Sequence, residues 1–209
     1  VAKNPTIKII TPKIPKRLPE FIQEKNIAQL FDNLIEGDFE EFRDRLIIEL
    51  FYITGMRKIE LINLSDDDID MSNNVVKVMG KGNKERLCPL SGSILSKINR
   101  YKELRDSFFE GGLQSKHLFV TSKGAKMYPK FVYNLVKSYL STITTLNKRS
   151  PHILRHSFAT HLMNGGADLN AVKELLGHAN LAATQIYTHN SIEKLKEVYK
   201  NAHPKSENK

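Results

Sequence analysis

Residues 150–189 read SPHILRHSFATHLMNGGADLNAVKELLGHANLAATQIYTH, and the reading of this stretch decides the rest. It carries His152, His156, His161, His178 and His189, five of the seven histidines of the chain, together with Arg155 and Tyr187. On a helix, His152 and Arg155 stand at i and i+3 and leave the same face. Ile153, Leu154, Phe158, Ala159 and Leu162 form the opposite, core-facing stripe. One edge therefore offers an imidazole, which moves protons near neutral pH, beside a planar fork of donors suited to phosphate oxygens. That pair points to chemistry on a phosphate. Gly165-Gly166 ends this helix, Asp168 caps the next, and Gly177 ends that one, leaving His178 just past a helix terminus. Tyr187 falls in a third short helical stretch, Ala182 to Tyr187.

Composition narrows the partners. The chain has 209 residues and a formal net charge of +9 at pH 7, which favours a polyanion, nucleic acid before an anionic membrane. No apolar run approaches the roughly eighteen residues of a membrane span, and no signal peptide opens the chain. The one cysteine, Cys88, excludes an internal disulfide and fits a reducing, cytoplasmic setting. Residues 1–19 hold four prolines and five Lys or Arg without an acid, the pattern of an extended basic linker. A chain that opens on Val1 and on a linker is expected to be a piece of something longer.

Between linker and central stretch the pattern is α+β, mainly helical. Helices are predicted over Glu24 to Ile35, Asp38 to Thr54, Ser91 to Phe109 and Pro129 to Leu146. The acids of the second, Asp38, Glu40, Glu41, Asp44 and Glu49, mark a solvated outer face. Strands are predicted over Leu64 to Ile69, Val75 to Met79 and Glu85 to Pro89, a small three-stranded antiparallel sheet, with a further short strand at Leu118 to Thr121. Gly80-Lys81-Gly82-Asn83-Lys84 makes a glycine-rich hairpin tip that presents Lys81. Arg57 follows Gly55 at the start of a short helix, with Glu60 one turn on to hold it. Cys88 reads as a packing residue. A last amphipathic helix, Ser191 to Tyr199, precedes a polar tail, His203 to Lys209, expected to be disordered.

Taken singly, these residues have plain structural readings: His178 as a helix-end partner, Tyr187 as half-buried core, Lys81 as a solvated turn, Arg57–Glu60 as a surface ion pair. Other chemistries fit worse. His152 and His156 have zincin spacing, but the general-base Glu is missing and Arg155 opposes a cation. The hairpin tip lacks Walker spacing, and no nucleophile elbow is present for a hydrolase.

Together, Arg57, Lys81, His152, Arg155, His178 and Tyr187 resemble the active-site set of the tyrosine recombinases, Xer-like members in particular. The matching runs are Gly55-Met56-Arg57 with Glu60-Leu61, and Gly80-Lys81-Gly82-Asn83-Lys84-Glu85-Arg86. His152 to His161, Leu175-Leu176-Gly177-His178 and Thr184-Gln185-Ile186-Tyr187-Thr188-His189 complete them, over about residues 10–200. Ile59 and Ala182-Ala183 are mild departures away from catalytic positions.

The resemblance implies the DNA breaking-rejoining catalytic fold, spanning residues 20–190. It also implies a preceding core-binding domain, absent from this chain, and a C-terminal helix in 191–209 that docks at home or in a neighbouring subunit. It implies Tyr187 as nucleophile, giving a 3′-phosphotyrosine, with Arg57 and Arg155 on the phosphate and Lys81 protonating the leaving 5′-oxygen. His152 assists the tyrosine, His178 bonds the phosphate, and Glu60 supports Arg57. Lys84 and Arg86 join Arg57, Lys81 and Arg155 as DNA contacts.

Neither metal, ATP nor another cofactor is implied. The partners are double-stranded DNA, a homo- or hetero-tetramer on two sites, and a DNA translocase of the FtsK type as activator. The implied job is chromosome or plasmid dimer resolution, or mobile-element integration and excision, in the cytoplasm at the nucleoid. Two alternatives remain at this point: a type IB topoisomerase with a similar residue set, and a DNA-binding module without chemistry.

Overall fold

Helix α2 (Phe39–Thr54) is the element on which the others are built, and its sequence explains why. Asp38 caps it by accepting the Glu41 N–H at 2.9 Å. From Leu46 to Thr54 every residue is buried, so the second half is enclosed on all sides. Helices α4 (Gly92–Phe108), α5 (Pro129–Ile143) and α6 (Pro151–Asn164) pack against it. The computed structural model describes residues 20–32, 37–80, 82–146, 149–177 and 189–206. Helix α1 (Glu24–Asp32) lies on α5, and α3 (Lys58–Asn63) lies between α5 and the sheet. Among the described residues, no helix is long and apolar enough to cross a membrane.

Three short strands, β1 (Ile69–Asp70), β2 (Val75–Met79) and β3 (Glu85–Pro89), pair antiparallel in the order β1-β2-β3. The register sets Val76 against Cys88 and Val78 against Arg86. Side chains alternate across a strand, so Arg86 and Cys88 share one face, and both are buried. Helices α7 (Leu169–Leu176) and α8 (His189–Ala202) close over that side, α7 on α6 and β3, α8 on α6, α7 and β3. The mainly helical α+β class with its small antiparallel sheet is what the pattern predicts.

Four local expectations are corrected. The strand predicted over Leu64 to Ile69 shrinks to its end, β1 starting only at Ile69, because Asp66–Asp68 forms a 3-10 turn. The Asp68 carboxylate accepts from both the backbone N–H and the hydroxyl of Ser65, at 2.8 Å each, so a local side-chain bond outcompetes the ladder. In the predicted strand Leu118 to Thr121, Leu118, Phe119 and Val120 are fully buried, yet the stretch contributes one isolated bridge, Val120 to Lys126, rather than a strand.

The acidic helix face is not all solvated. Glu49 is buried, and both its oxygens accept from Lys97 Nζ, at 2.9 and 2.7 Å. The start of the supposed disordered tail is likewise part of the core. His203 is fully buried, stacked on Tyr199 with centroids 4.6 Å apart, and Ser206 donates to the Lys200 carbonyl at 2.7 Å. The linker, residues 1–19, and the helical stretch Ala182 to Tyr187 lie outside the described residues.

Candidate active site

The site begins at a glycine. Gly55 ends α2 with φ +57°, the left-handed conformation that L side chains resist, and its N–H bonds the Phe51 carbonyl at 3.1 Å. A Cβ here would sit 2.5 Å from the Phe158 ring and 2.9 Å from Leu176, so glycine is required twice over. This close approach brings the α2–α3 turn against α6 and α7. Two residues on, Arg57 opens α3, its side chain 40% exposed.

Glu60 holds Arg57 by two bonds. Its carboxylate accepts the Arg57 backbone N–H at 2.6 Å and Nη1 at 2.7 Å. The same carboxylate accepts Nη2 of Arg86 at 2.8 Å. Burial pushes the Glu60 carboxyl up, but the Arg86 and Arg57 bonds outweigh it and hold the group below the usual carboxylate range.

Arg155, on the second turn of α6, reaches across to the same place. Its Nη1 donates to the Gly55 carbonyl at 2.5 Å and its Nη2 to the Leu176 carbonyl at 2.6 Å. The neighbouring carbonyl, Leu175, accepts Nε of Arg86 at 2.8 Å. The last carbonyls of a helix lack intrahelical donors and carry partial negative charge, so the end of α7 is a seat for two guanidiniums. Gly177, with φ +63°, ends α7 there.

Two guanidiniums, Arg57 and Arg86, thus share the Glu60 carboxylate, and a third, Arg155, is anchored on backbone carbonyls beside them. Burial first, then the cations of Arg57 and Arg86, draw Arg155 down to about 10. It remains protonated at neutral pH. The cluster carries uncompensated positive charge, and an anion at the exposed side of Arg57 would relieve it.

Of the remaining predicted residues, His152 stands exposed in the first turn of α6, one turn before Arg155. Its core-facing partners Ile153, Leu154, Phe158 and Leu162 are buried as the stripe predicts. Lys84 is exposed beside the hairpin tip, whose root is closed by the bond from the Gly80 N–H to the Lys84 carbonyl at 2.8 Å. Lys81, His178 and Tyr187 lie outside the described residues.

Arg86 is a correction. Expected to face DNA, it is 3% exposed and spends two of its nitrogens on Glu60 and Leu175. Its strand face, shared with Cys88, was the available signal. Cys88 is itself buried, and burial raises its thiol pKa, as suits a packing residue. The described His, Cys, Asp and Glu side chains form no group of three that would hold a metal ion.

Comparison with known proteins gives the family. Residues 20–194 match the model of the phage integrase family. Tyrosine recombinase XerC of Chlorobaculum parvum is 41% identical, over 98% of this chain and 67% of its own length. Tyrosine recombinase XerD of Vibrio cholerae is 38% identical, over 98% of this chain and 68% of its own. Among solved structures, XerA recombinase superposes with a TM-score of 0.67 at 27% identity, covering 91% of this chain and 67% of that one. The chain spans about two thirds of the length of the curated relatives it matches. It belongs to the phage integrase family and is a tyrosine recombinase of the Xer type.

Proposed function

We propose that this chain is the catalytic domain of a site-specific recombinase that cleaves and rejoins duplex DNA through a 3′-phosphotyrosine. The observation that carries the reading is the guanidinium cluster. Arg57 is half exposed and fixed by Glu60, and Arg155 is anchored through two backbone carbonyls beside it. Such a pair, oriented before substrate arrives, stabilises charge that develops on a phosphate's non-bridging oxygens. A solved XerH recombinase bound to its difH substrate, TM-score 0.68 at 26% identity over 88% of this chain and 50% of that one, supports DNA as the substrate.

The proposed chemistry is a transesterification. The Tyr187 oxygen attacks the scissile phosphorus while His152 takes its proton. The bond to the 5′-oxygen breaks, and Lys81 delivers a proton to that leaving oxygen. The covalent 3′-phosphotyrosine keeps the bond energy, so a 5′-hydroxyl from the partner strand reseals the backbone without ATP. His178 bonds the phosphate, and Lys84 adds a contact to the DNA backbone. The two arginines supply the charge stabilisation for which other phosphoryl-transfer enzymes use a metal ion. Residues 1–19 act as the tether to a core-binding domain. Four subunits on two sites, with a DNA translocase as activator, carry out dimer resolution or mobile-element movement.

The test is a nicked DNA carrying the recombination site, incubated with the protein in EDTA and run on a denaturing gel. A slow protein–DNA adduct that is lost in Tyr187→Phe is the expected result. An adduct that persists in Tyr187→Phe overturns the assignment of the nucleophile.

A further inference from the structure

Arg86 sits at the centre of the cluster, yet the proposed chemistry gives it no part. Its guanidinium bonds the Glu60 carboxylate, which in turn holds Arg57, and its Nε bonds the α7 carbonyl next to the one that holds Arg155. The remaining nitrogen, Nη1, is buried and has no partner among the described residues. A Cβ built on Gly177 would lie 3.2 Å from that nitrogen, and one built on Gly80 would lie 3.9 Å from it. Nη1 therefore faces both the root of the hairpin that carries Lys81 and the turn that leads to His178.

We propose that Arg86 is a positioning residue for strand cleavage, acting through Glu60 on Arg57 and through the end of α7 on Arg155, without touching DNA. The inference rests on the recombinase reading above. A guanidinium suits the task because its donors point in fixed directions. One planar group ties β3 to α3 and to α7 at once, where a lysine ammonium offers a single mobile point. A buried cation is expensive to keep, and a purely packing role would be met by an apolar side chain of similar volume.

The experiment compares Arg86→Gln, Arg86→Lys, Glu60→Gln and the double variant Glu60→Gln/Arg86→Gln with the native protein, well below each melting temperature. Two quantities are read: the single-turnover rate of adduct formation on nicked site DNA, and the affinity for the same DNA over a salt series. Positioning predicts an adduct rate lower by about 10–100-fold in both Arg86 variants, the lysine failing to rescue. It predicts a double variant within about threefold of the slower single variant, since both act through one path.

In the two single Arg86 variants, DNA affinity and its salt slope should match the native protein. A slope reduced by about one would make Arg86 a phosphate contact and overturn the inference. An unchanged adduct rate, a full rescue by lysine, or losses that multiply in the double variant would overturn it as well. If the native protein binds the site but forms no adduct, the recombinase reading itself fails, and the inference with it.

Discussion

Replacing Gly55 by alanine tests whether the close approach at the end of α2 builds both the fold and the site. Two costs add at this position. The φ of +57° disfavours an L side chain by roughly 1–2 kcal/mol. The new methyl would lie 2.5 Å from Phe158 and 2.9 Å from Leu176, inside a packed core, an overpacking cost of roughly 1–3 kcal/mol. Together Gly55→Ala should destabilise by about 2–5 kcal/mol.

Gly82 is the internal control. Its φ is +75° and nothing lies within 4 Å of its Cβ position, so Gly82→Ala carries only the conformational cost. The entropy lost from the unfolded chain is common to both variants and cancels in the comparison. The difference of about 1–3 kcal/mol corresponds to roughly 2–12 °C in melting temperature for a domain of this size. Urea melts give the free energies. Adduct formation should fall further in Gly55→Ala than its stability explains, because the Gly55 carbonyl is an anchor of Arg155. Equal destabilisation by the two substitutions would refute the steric argument. A Gly55→Ala protein that folds and cleaves at the native rate would refute the anchor.

His203 is buried and its pKa is lowered to about 3, first by burial and then by His161 and Lys205, with the Tyr52 backbone acting in the opposite direction. A folded value below the unfolded one means stability that is complete above about pH 6.5 and lost as pH falls toward 3, roughly 2 kcal/mol between pH 6.5 and 5. His203→Phe should flatten that loss in thermal melts at stepped pH, and an unchanged pH profile would count against it. The Glu60 carboxyl, held below its ordinary value by Arg86 and Arg57, contributes stability above the ordinary carboxylate pKa that disappears as pH falls through its folded value. Glu60→Gln should therefore lose less on strong acidification than the native protein does. Glu49→Ala leaves Lys97 without its partner and should destabilise by about 1–3 kcal/mol in urea melts; a value under about 0.3 kcal/mol would mean that solvent replaces the pair.

Helices were legible because their information is local. The apolar stripe of α6, the Asp168 cap with its bonds to the Asn170 and Ala171 N–H groups, and Gly177 past α7 all declare themselves within a few residues. The Arg57–Glu60 bond was legible for the same reason, one helical turn apart. The misread features have distant partners. Glu49 looks like a surface acid until Lys97, forty-eight residues on, is packed against it. Arg86 looks like a hairpin cation until α7 arrives eighty-nine residues later to cover it. His203 has the neighbours of a polar tail in sequence, and Tyr52, Phe158 and Tyr199 around it in space. Only the strand alternation linking Arg86 to Cys88 carried a hint of this, because it set the arginine on the covered face.

The claim that everything else depends on is the covalent link between Tyr187 and the 3′ end of the cut strand. Trypsin cleaves after Lys173 and Lys194, releasing residues 174–194, a peptide whose single tyrosine is Tyr187. The adduct, formed in EDTA on nicked site DNA, would be digested with trypsin and nuclease and the nucleotide-bearing peptide sequenced by mass spectrometry. The account predicts a nucleotide on Tyr187 of that peptide, joined through a 3′-phosphate. A nucleotide on any other residue, or one joined through its 5′-phosphate, would contradict it.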